Sequence, residues 1–130
     1  MDQSKIILVE DDEFLREVYL EALTGEGYVV EVGVDGQEGY DKIKQGGYDL
    51  VLLDIILPTM SGLDIMQKIK AEGGTTNPNK KLIFLTNLDK DEEIKQALTL
   101  GDGYLIKSQL TPGDLIKEVQ LYLASVKTVV

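Results

Sequence analysis

The chain has no cysteine and no histidine in its 130 residues. The first absence excludes disulfides and thiolate metal sites, and the second removes imidazole ligands, imidazole bases and phosphohistidine chemistry. Any catalysis must then use carboxylates, hydroxyls, lysine or a bound metal. No apolar run approaches the length needed to span a membrane, and Met1-Asp2-Gln3-Ser4-Lys5 lacks the pattern of a signal peptide, so a cytoplasmic protein without membrane association is expected. Positive charge is in short supply. The 13 Lys and Arg stand against 23 Asp and Glu, and the resulting charge of −10 opposes binding to nucleic acid or anionic lipid while favouring cations or a basic partner. Most of these acids read as a solvated surface.

What is present is 43% apolar residues, enough to give one ordinary domain a buried core. Residues 1–130 are expected to be a single domain, with no effector domain beyond the last helix. Short apolar strands alternate with longer amphipathic segments, the pattern of an α/β fold in which helices cover both faces of a parallel sheet. Strands are expected over Lys5–Val9, Tyr28–Val34, Leu50–Asp54, Lys81–Leu85 and Tyr104–Ile106. Five helices follow them. The first runs from Asp12 or Glu13 to Gly25 and the second from about Gln37 to Gln45, where only Tyr40 and Ile43 anchor it and make it the least secure. The third follows the Pro58–Gly62 turn and stops near Gly73-Gly74; Met60 and Met66 read as packing residues. The fourth spans about Asp91 to Leu100 with Ile94, Ala97 and Leu98 inward. The fifth starts at Pro112 behind a Thr111 cap and buries Leu115, Ile116, Val119, Leu123 and Val126. The polar stretch Gly73–Asn79 reads as a connection long enough to be mobile.

Charged groups sit where this architecture collects function. In an open parallel sheet, loops and helix N-termini converge at the carboxyl ends of the strands. Glu10 and Asp11 follow the first strand, Asp54 ends the third, Thr86 follows the fourth and Lys107 the fifth. Two ionised carboxylates about 4 Å apart repel by roughly 4 kcal/mol at an effective dielectric near 20. That is large against the roughly 5–15 kcal/mol net stability of a domain. Lys107 offsets part of the repulsion, a retained proton is another route, and a bound cation is the simplest relief. Mg²⁺ suits carboxylates, waters and phosphate oxygens in octahedral array. With it in place, Asp54 is a nucleophile for a phosphoryl group, Lys107 neutralises phosphoryl oxygens and Thr86 donates a hydrogen bond.

Ile7-Leu8-Val9-Glu10-Asp11, Leu52-Leu53-Asp54 through Pro58-Thr59-Met60-Ser61-Gly62, Leu85-Thr86 and Tyr104-Leu105-Ile106-Lys107 resemble the signature segments of response-regulator receiver domains of two-component signalling. The resemblance covers essentially the whole chain in order. It implies a flavodoxin-like, doubly wound sheet of strand order 2-1-3-4-5 and Mg²⁺-dependent phosphorylation of Asp54 by a histidine kinase or phosphotransfer protein. It also implies Asp11 as a direct metal ligand, Glu10 as a ligand through water and the backbone carbonyl of Ile56 as a third. Thr86 and Tyr104 become switch residues that reshape the surface of helix four, strand five and helix five for a downstream protein target. Such a chain is a signalling phosphoacceptor that assists its own phosphorylation and dephosphorylation rather than an enzyme with a separate substrate. Monomer and weak dimer both fit.

Several positions depart from the family pattern. Ser108 stands where proline commonly follows the active-site lysine through a cis bond, which leaves open whether Lys107–Ser108 is cis or trans; before a non-proline residue cis costs about 2.5–4 kcal/mol. Asn87 is bulkier than the residue usual after the switch threonine. Ile56 and Leu88 flank the phosphoryl position and are both apolar, so slow intrinsic dephosphorylation is expected. Taken singly, Asp54 is a turn cap, Thr86 a turn hydroxyl, Lys107 a solvated charge and Tyr104 a half-buried strand aromatic; the functional reading comes from their combination. Two other functions compete with it. A phosphorylation-independent interaction scaffold is kept open by Ser108 and Asn87, whereas an Asp-nucleophile phosphohydrolase lacks its second acid, since Ile56 occupies that place. A Gly-rich nucleotide cradle is excluded by Glu10-Asp11-Asp12-Glu13 in the first loop.

Overall fold

The computed structural model describes residues 3–87 and 91–127. Its elements are β1 (Lys5–Val9), α1 (Glu13–Gly25), β2 (Val29–Gly33), α2 (Gly36–Gln45), β3 (Leu50–Asp54), α3 (Gly62–Ala71), β4 (Lys81–Thr86), α4 (Asp91–Leu100), β5 (Gly103–Ile106), a single 3-10 turn at Lys107–Gln109 and α5 (Pro112–Lys127). The strands are parallel and lie in the order β2-β1-β3-β4-β5. This is the flavodoxin-like doubly wound sheet expected.

The apolar strand runs exist because both sheet faces are covered. Side chains alternate between the faces, so one parity of each strand meets each helical layer. Ile6, Leu8, Leu50, Leu52, Ile83 and Leu85 pack with Tyr19 and Leu23 of α1 and with Leu115, Val119 and Leu123 of α5. Ile7, Val9, Val51, Leu53, Leu82 and Phe84 pack with Ile43 of α2, Ile65 and Ile69 of α3 and Ala97 of α4. Each such Leu or Ile stabilises the fold by about 1.5–3 kcal/mol relative to exposure.

Register sets the site. Val9 lies opposite Leu53, Asp54 opposite Leu85, Leu85 opposite Leu105 and Thr86 opposite Ile106. Glu10 therefore leaves the sheet level with Asp54, while Thr86 and Lys107 stand one and two positions further along.

Several expectations change. β2 is shorter than Tyr28–Val34: the ladder stops at the Val9–Gly33 pair, Tyr28 is buried before it, and the Val34 N–H donates to the Glu38 carboxylate at 2.8 Å. β4 runs on through Thr86, and β5 starts at Gly103. Leu98 does not face inward. It is 56% exposed, because the turn of α4 that buries Ala97 carries Leu100, not Leu98, onto the core. Helix α2 is tied more firmly than two anchors suggest, since Asp35 caps it through Glu38 N–H at 2.9 Å and the Lys42 ammonium donates to Val32 O at 2.7 Å. The Gly73–Asn79 connection is laced to its surroundings rather than loose. Thr76 N–H donates to Lys44 O (2.9 Å), Asn77 N–H to Gln45 O (3.0 Å), Gly47 N–H to Pro78 O (3.3 Å) and the Lys44 ammonium to Gly74 O (2.7 Å). At α5, Thr111 and Asp114 cap reciprocally, as the Thr111 cap predicts, at 3.0 and 3.2 Å. The side chain of Val126 lies outside the described residues.

Candidate functional site

The turn after β1 is built around Glu10, which is fully buried. Its Oε2 accepts the Asp12 N–H at 3.1 Å, and Asp12 in turn caps α1 by accepting the Leu15 N–H at 3.0 Å. The Arg16 guanidinium donates to the backbone oxygens of Glu10 (3.0 Å) and Asp11 (3.4 Å) and so fixes the turn that aims both acids. Arg16 went unnoticed in the sequence; a basic residue one turn into the helix behind an acidic strand end is the signal that points to it.

Asp54 ends β3 at 3% exposure, with the Ile56 N–H donating to its Oδ1 at 3.3 Å. The loop behind it closes tightly. Gly62 N–H donates to Ile55 O at 2.8 Å, and a Cβ on Gly62 would stand 2.2 Å from the Asp54 carbonyl oxygen, so only glycine lets α3 begin here. Across the loop, Gly36 N–H donates to Pro58 O (2.9 Å) and Gln37 N–H to the Thr59 hydroxyl (3.0 Å), with Thr59 held at a φ of 70°. A side chain on Gly36 would meet the Met60 carbonyl oxygen at 2.0 Å, which is why α2 and the loop approach so closely.

Lys107 joins the two acids. Its ammonium donates to Asp54 Oδ2 at 2.7 Å and to Glu10 Oε1 at 2.9 Å, and its side chain is only 9% exposed. No peptide bond among the described residues is cis, so Lys107–Ser108 is trans and the lysine still reaches the site. Burial pushes the Glu10 carboxyl up; the Lys107 hydrogen bond pulls it down and the Asp54 charge pushes it up again, leaving it above the ordinary glutamate value. Burial also works against the Lys107 ammonium, but its bonds to Asp54 and Glu10 outweigh that and hold its pKa above the usual lysine value.

Thr86 is buried at the end of β4, and half-buried Tyr104 packs beside the core of Phe84 and Ala97. Glu10, Asp11, Asp54, Ile56, Asn87 and Lys107 line a common cavity of about 250 Å³. Asn87 thus borders the site, and Ile56, 61% exposed, sits at its mouth. Leu88 lies outside the described residues.

The donor set fits a small hard cation. One oxygen each from Glu10, Asp11 and Asp54 lie within 4.8 Å of one another. Opposite corners of a Mg²⁺ octahedron are about 4.2 Å apart. The spacing of the three oxygens is of the order an octahedral ion and its waters span, and Asp11 is the exposed member of the trio.

A family model described as response regulator receiver domain matches residues 6–120. The transcriptional regulatory protein DltR of Streptococcus agalactiae is 33% identical over 117 residues, covering 90% of this chain and 50% of that protein. The chemotaxis protein CheY of Treponema pallidum is 36% identical over 107 residues, covering 79% of this chain and 72% of that one. The chain spans about half the length of the first curated relatives it matches. Among solved structures, a CheY-like response regulator receiver domain protein from Methanospirillum hungatei superposes with a TM-score of 0.82 at 30% identity, covering 97% of this chain and 98% of that one. A two-component response regulator from Clostridium difficile superposes at 0.83 with 27% identity, covering 97% of this chain and 100% of that one. No helix among the described residues is long and apolar enough to cross a membrane.

Proposed function

The chain belongs to the response regulator receiver domain family, and from that premise we propose that Asp54 accepts a phosphoryl group from a histidine kinase or phosphotransfer protein, with Glu10, Asp11, Asp54 and the Ile56 carbonyl holding Mg²⁺. Residues 6–120 would act as one phosphoacceptor unit. The observation that carries this reading is the Lys107 ammonium bonded at once to Asp54 (2.7 Å) and Glu10 (2.9 Å), beside Asp11.

The chemistry follows from these groups. An Asp54 carboxylate oxygen forms a bond to phosphorus while the bond to the donor's leaving group breaks, leaving an acyl phosphate. No base has to remove a proton, since the attacking carboxylate is already ionised, and a chain without histidine has what it needs. Bound Mg²⁺ supplies positive charge to the phosphoryl oxygens. Lys107 is placed to exchange its Asp54 contact for a phosphoryl oxygen, and the Thr86 hydroxyl donates to another. Movement of Thr86 toward the phosphate, followed by Tyr104, then biases the α4–β5–α5 surface between two states that a protein target distinguishes.

Incubation with Mg²⁺ and acetyl phosphate tests the proposal. A single acid-stable, base-labile phosphoryl adduct, absent from Asp54→Asn, is expected. No adduct would make the chain a phosphorylation-independent scaffold, and continuous turnover would make it a phosphohydrolase.

A further inference from the structure

At the opposite, amino-terminal edge of the sheet, a cavity of about 530 Å³ opens between α3, α4 and the start of β4. Its floor is apolar: Met66 and Ile69 of α3, Leu82 of β4 and Leu100 at the end of α4. The Gly74–Asn79 connection forms one wall, and its lacing to Lys44, Gln45 and Gly47 holds that wall open before any ligand arrives. The polar groups at the rim are what single this cavity out. Lys70 and Lys81 both border it, and among the described residues neither ammonium makes an ion pair, in a chain whose net charge is −10. The one carboxylate at the rim, Asp102, is engaged by the Leu82 N–H at 2.8 Å. Ligand sites commonly have this build: a few hundred cubic ångströms, mostly apolar walls and a small number of charged groups that orient the occupant.

We propose that the Lys70–Lys81 cavity beneath the α3–β4 connection binds a small amphipathic organic anion, an alkyl or aryl carboxylate whose apolar part lies on Met66, Ile69, Leu82 and Leu100 and whose carboxylate meets the two ammonium groups. Burial of the tail supplies most of the affinity, and the lysines select an anion over a neutral or cationic molecule of the same shape. Such a ligand touches the last turn of α4 and the turn into β5. The site lies at the edge of the sheet opposite Asp54 and shares no lining residue with the acidic cavity.

Octanoate is the probe, titrated into nitrogen-labelled protein and followed by amide chemical shifts. Saturable shifts confined to residues 66–82 and 99–102 are expected, with octanol binding about tenfold more weakly and the Lys70→Ala/Lys81→Ala double variant losing octanoate affinity about tenfold. Lys70→Ala alone, an exposed position on α3, gives the same test with a smaller loss should the double variant fold poorly. Shifts that do not saturate, that centre elsewhere, that octanol reproduces at equal concentration, or that persist undiminished without the lysines would each overturn the proposal.

Discussion

With Lys107 bonded to both Glu10 and Asp54, replacing Asp54 by asparagine removes one of two buried anionic charges while the ammonium keeps Glu10 as its partner. In EDTA, Asp54→Asn is therefore expected to gain about 1 kcal/mol, or roughly 3–5 °C in Tm. Saturating Mg²⁺ should erode the advantage, since the native carboxylate is the better ligand and a ligand of the folded state alone stabilises it by mass action. An unchanged or lower Tm in EDTA would mean the acids are not crowded. Tyr19 makes a second case at this scale. It is 1% exposed, and its hydroxyl has no hydrogen-bond partner among the described residues. Leaving a buried polar group unsatisfied costs about 1–3 kcal/mol, so Tyr19→Phe should raise the urea midpoint by an equivalent of about 1 kcal/mol. A drop would show that the phenol is bonded after all.

At the scale of elements, the β3–α3 loop is where geometry and chemistry meet. A methyl at position 62 lands 2.2 Å from the Asp54 carbonyl oxygen, so Gly62→Ala must push α3 and Asp54 apart. The expected cost is about 1–3 kcal/mol in chemical denaturation, together with slower labelling by acetyl phosphate. Gly25→Ala, with nothing within 4 Å of the new methyl, serves as the neutral comparison. The elements themselves were legible. Apolar runs closed by an acid or a threonine gave β1, β3 and β4 nearly to the residue, because strand alternation is local and a parallel sheet gathers its strand ends at one edge. Contacts between distant segments were not. Lys107 meets its partners across 97 and 53 residues of sequence, which no periodicity encodes, so the sequence placed it at the site as an offset to the acids and a partner for phosphoryl oxygens without showing that it bonds both Glu10 and Asp54 at once. Thr59 at the N-terminus of α2 and the laced Gly73–Asn79 connection escaped for the same reason: their composition advertises turns, while their backbone bonds depend on what the fold brings alongside. Leu98 was misplaced because Ile94 and Leu98 are as compatible with one helical stripe as Ile94, Ala97 and Leu100, and only packing chooses between them.

For the molecule as a whole, the buried phenols set its response to alkali. Burial, then the hydrogen bond donated to Glu31, holds the Tyr48 phenol far above the ordinary tyrosine range. Burial likewise raises Tyr19 and Tyr122, and Lys107 is raised by bonds that outweigh its own burial. A group whose folded pKa exceeds its unfolded value contributes stability that is complete below the unfolded pKa and is lost as pH climbs toward the folded one. Stability should thus fall steadily above about pH 10. Tyr48→Phe should be less stable at neutral pH, having lost its bond to Glu31, yet should show a shallower decline between about pH 10 and 12 in melting experiments. Equal slopes would remove Tyr48 from the account.

The alternation of side chains carries one more consequence. Glu10, Asp54 and Lys107 continue the parity that faces α1 and α5, whereas Thr86 continues the parity of Leu82 and Phe84, toward α3 and α4. The sheet is thus a wall with its ionic groups gathered in one room and a lone hydroxyl standing in the doorway to the next. Were Asp54 to take up a phosphoryl group as proposed, Thr86 is the strand-end residue whose side of the sheet would let it relay that change from the first room to the second.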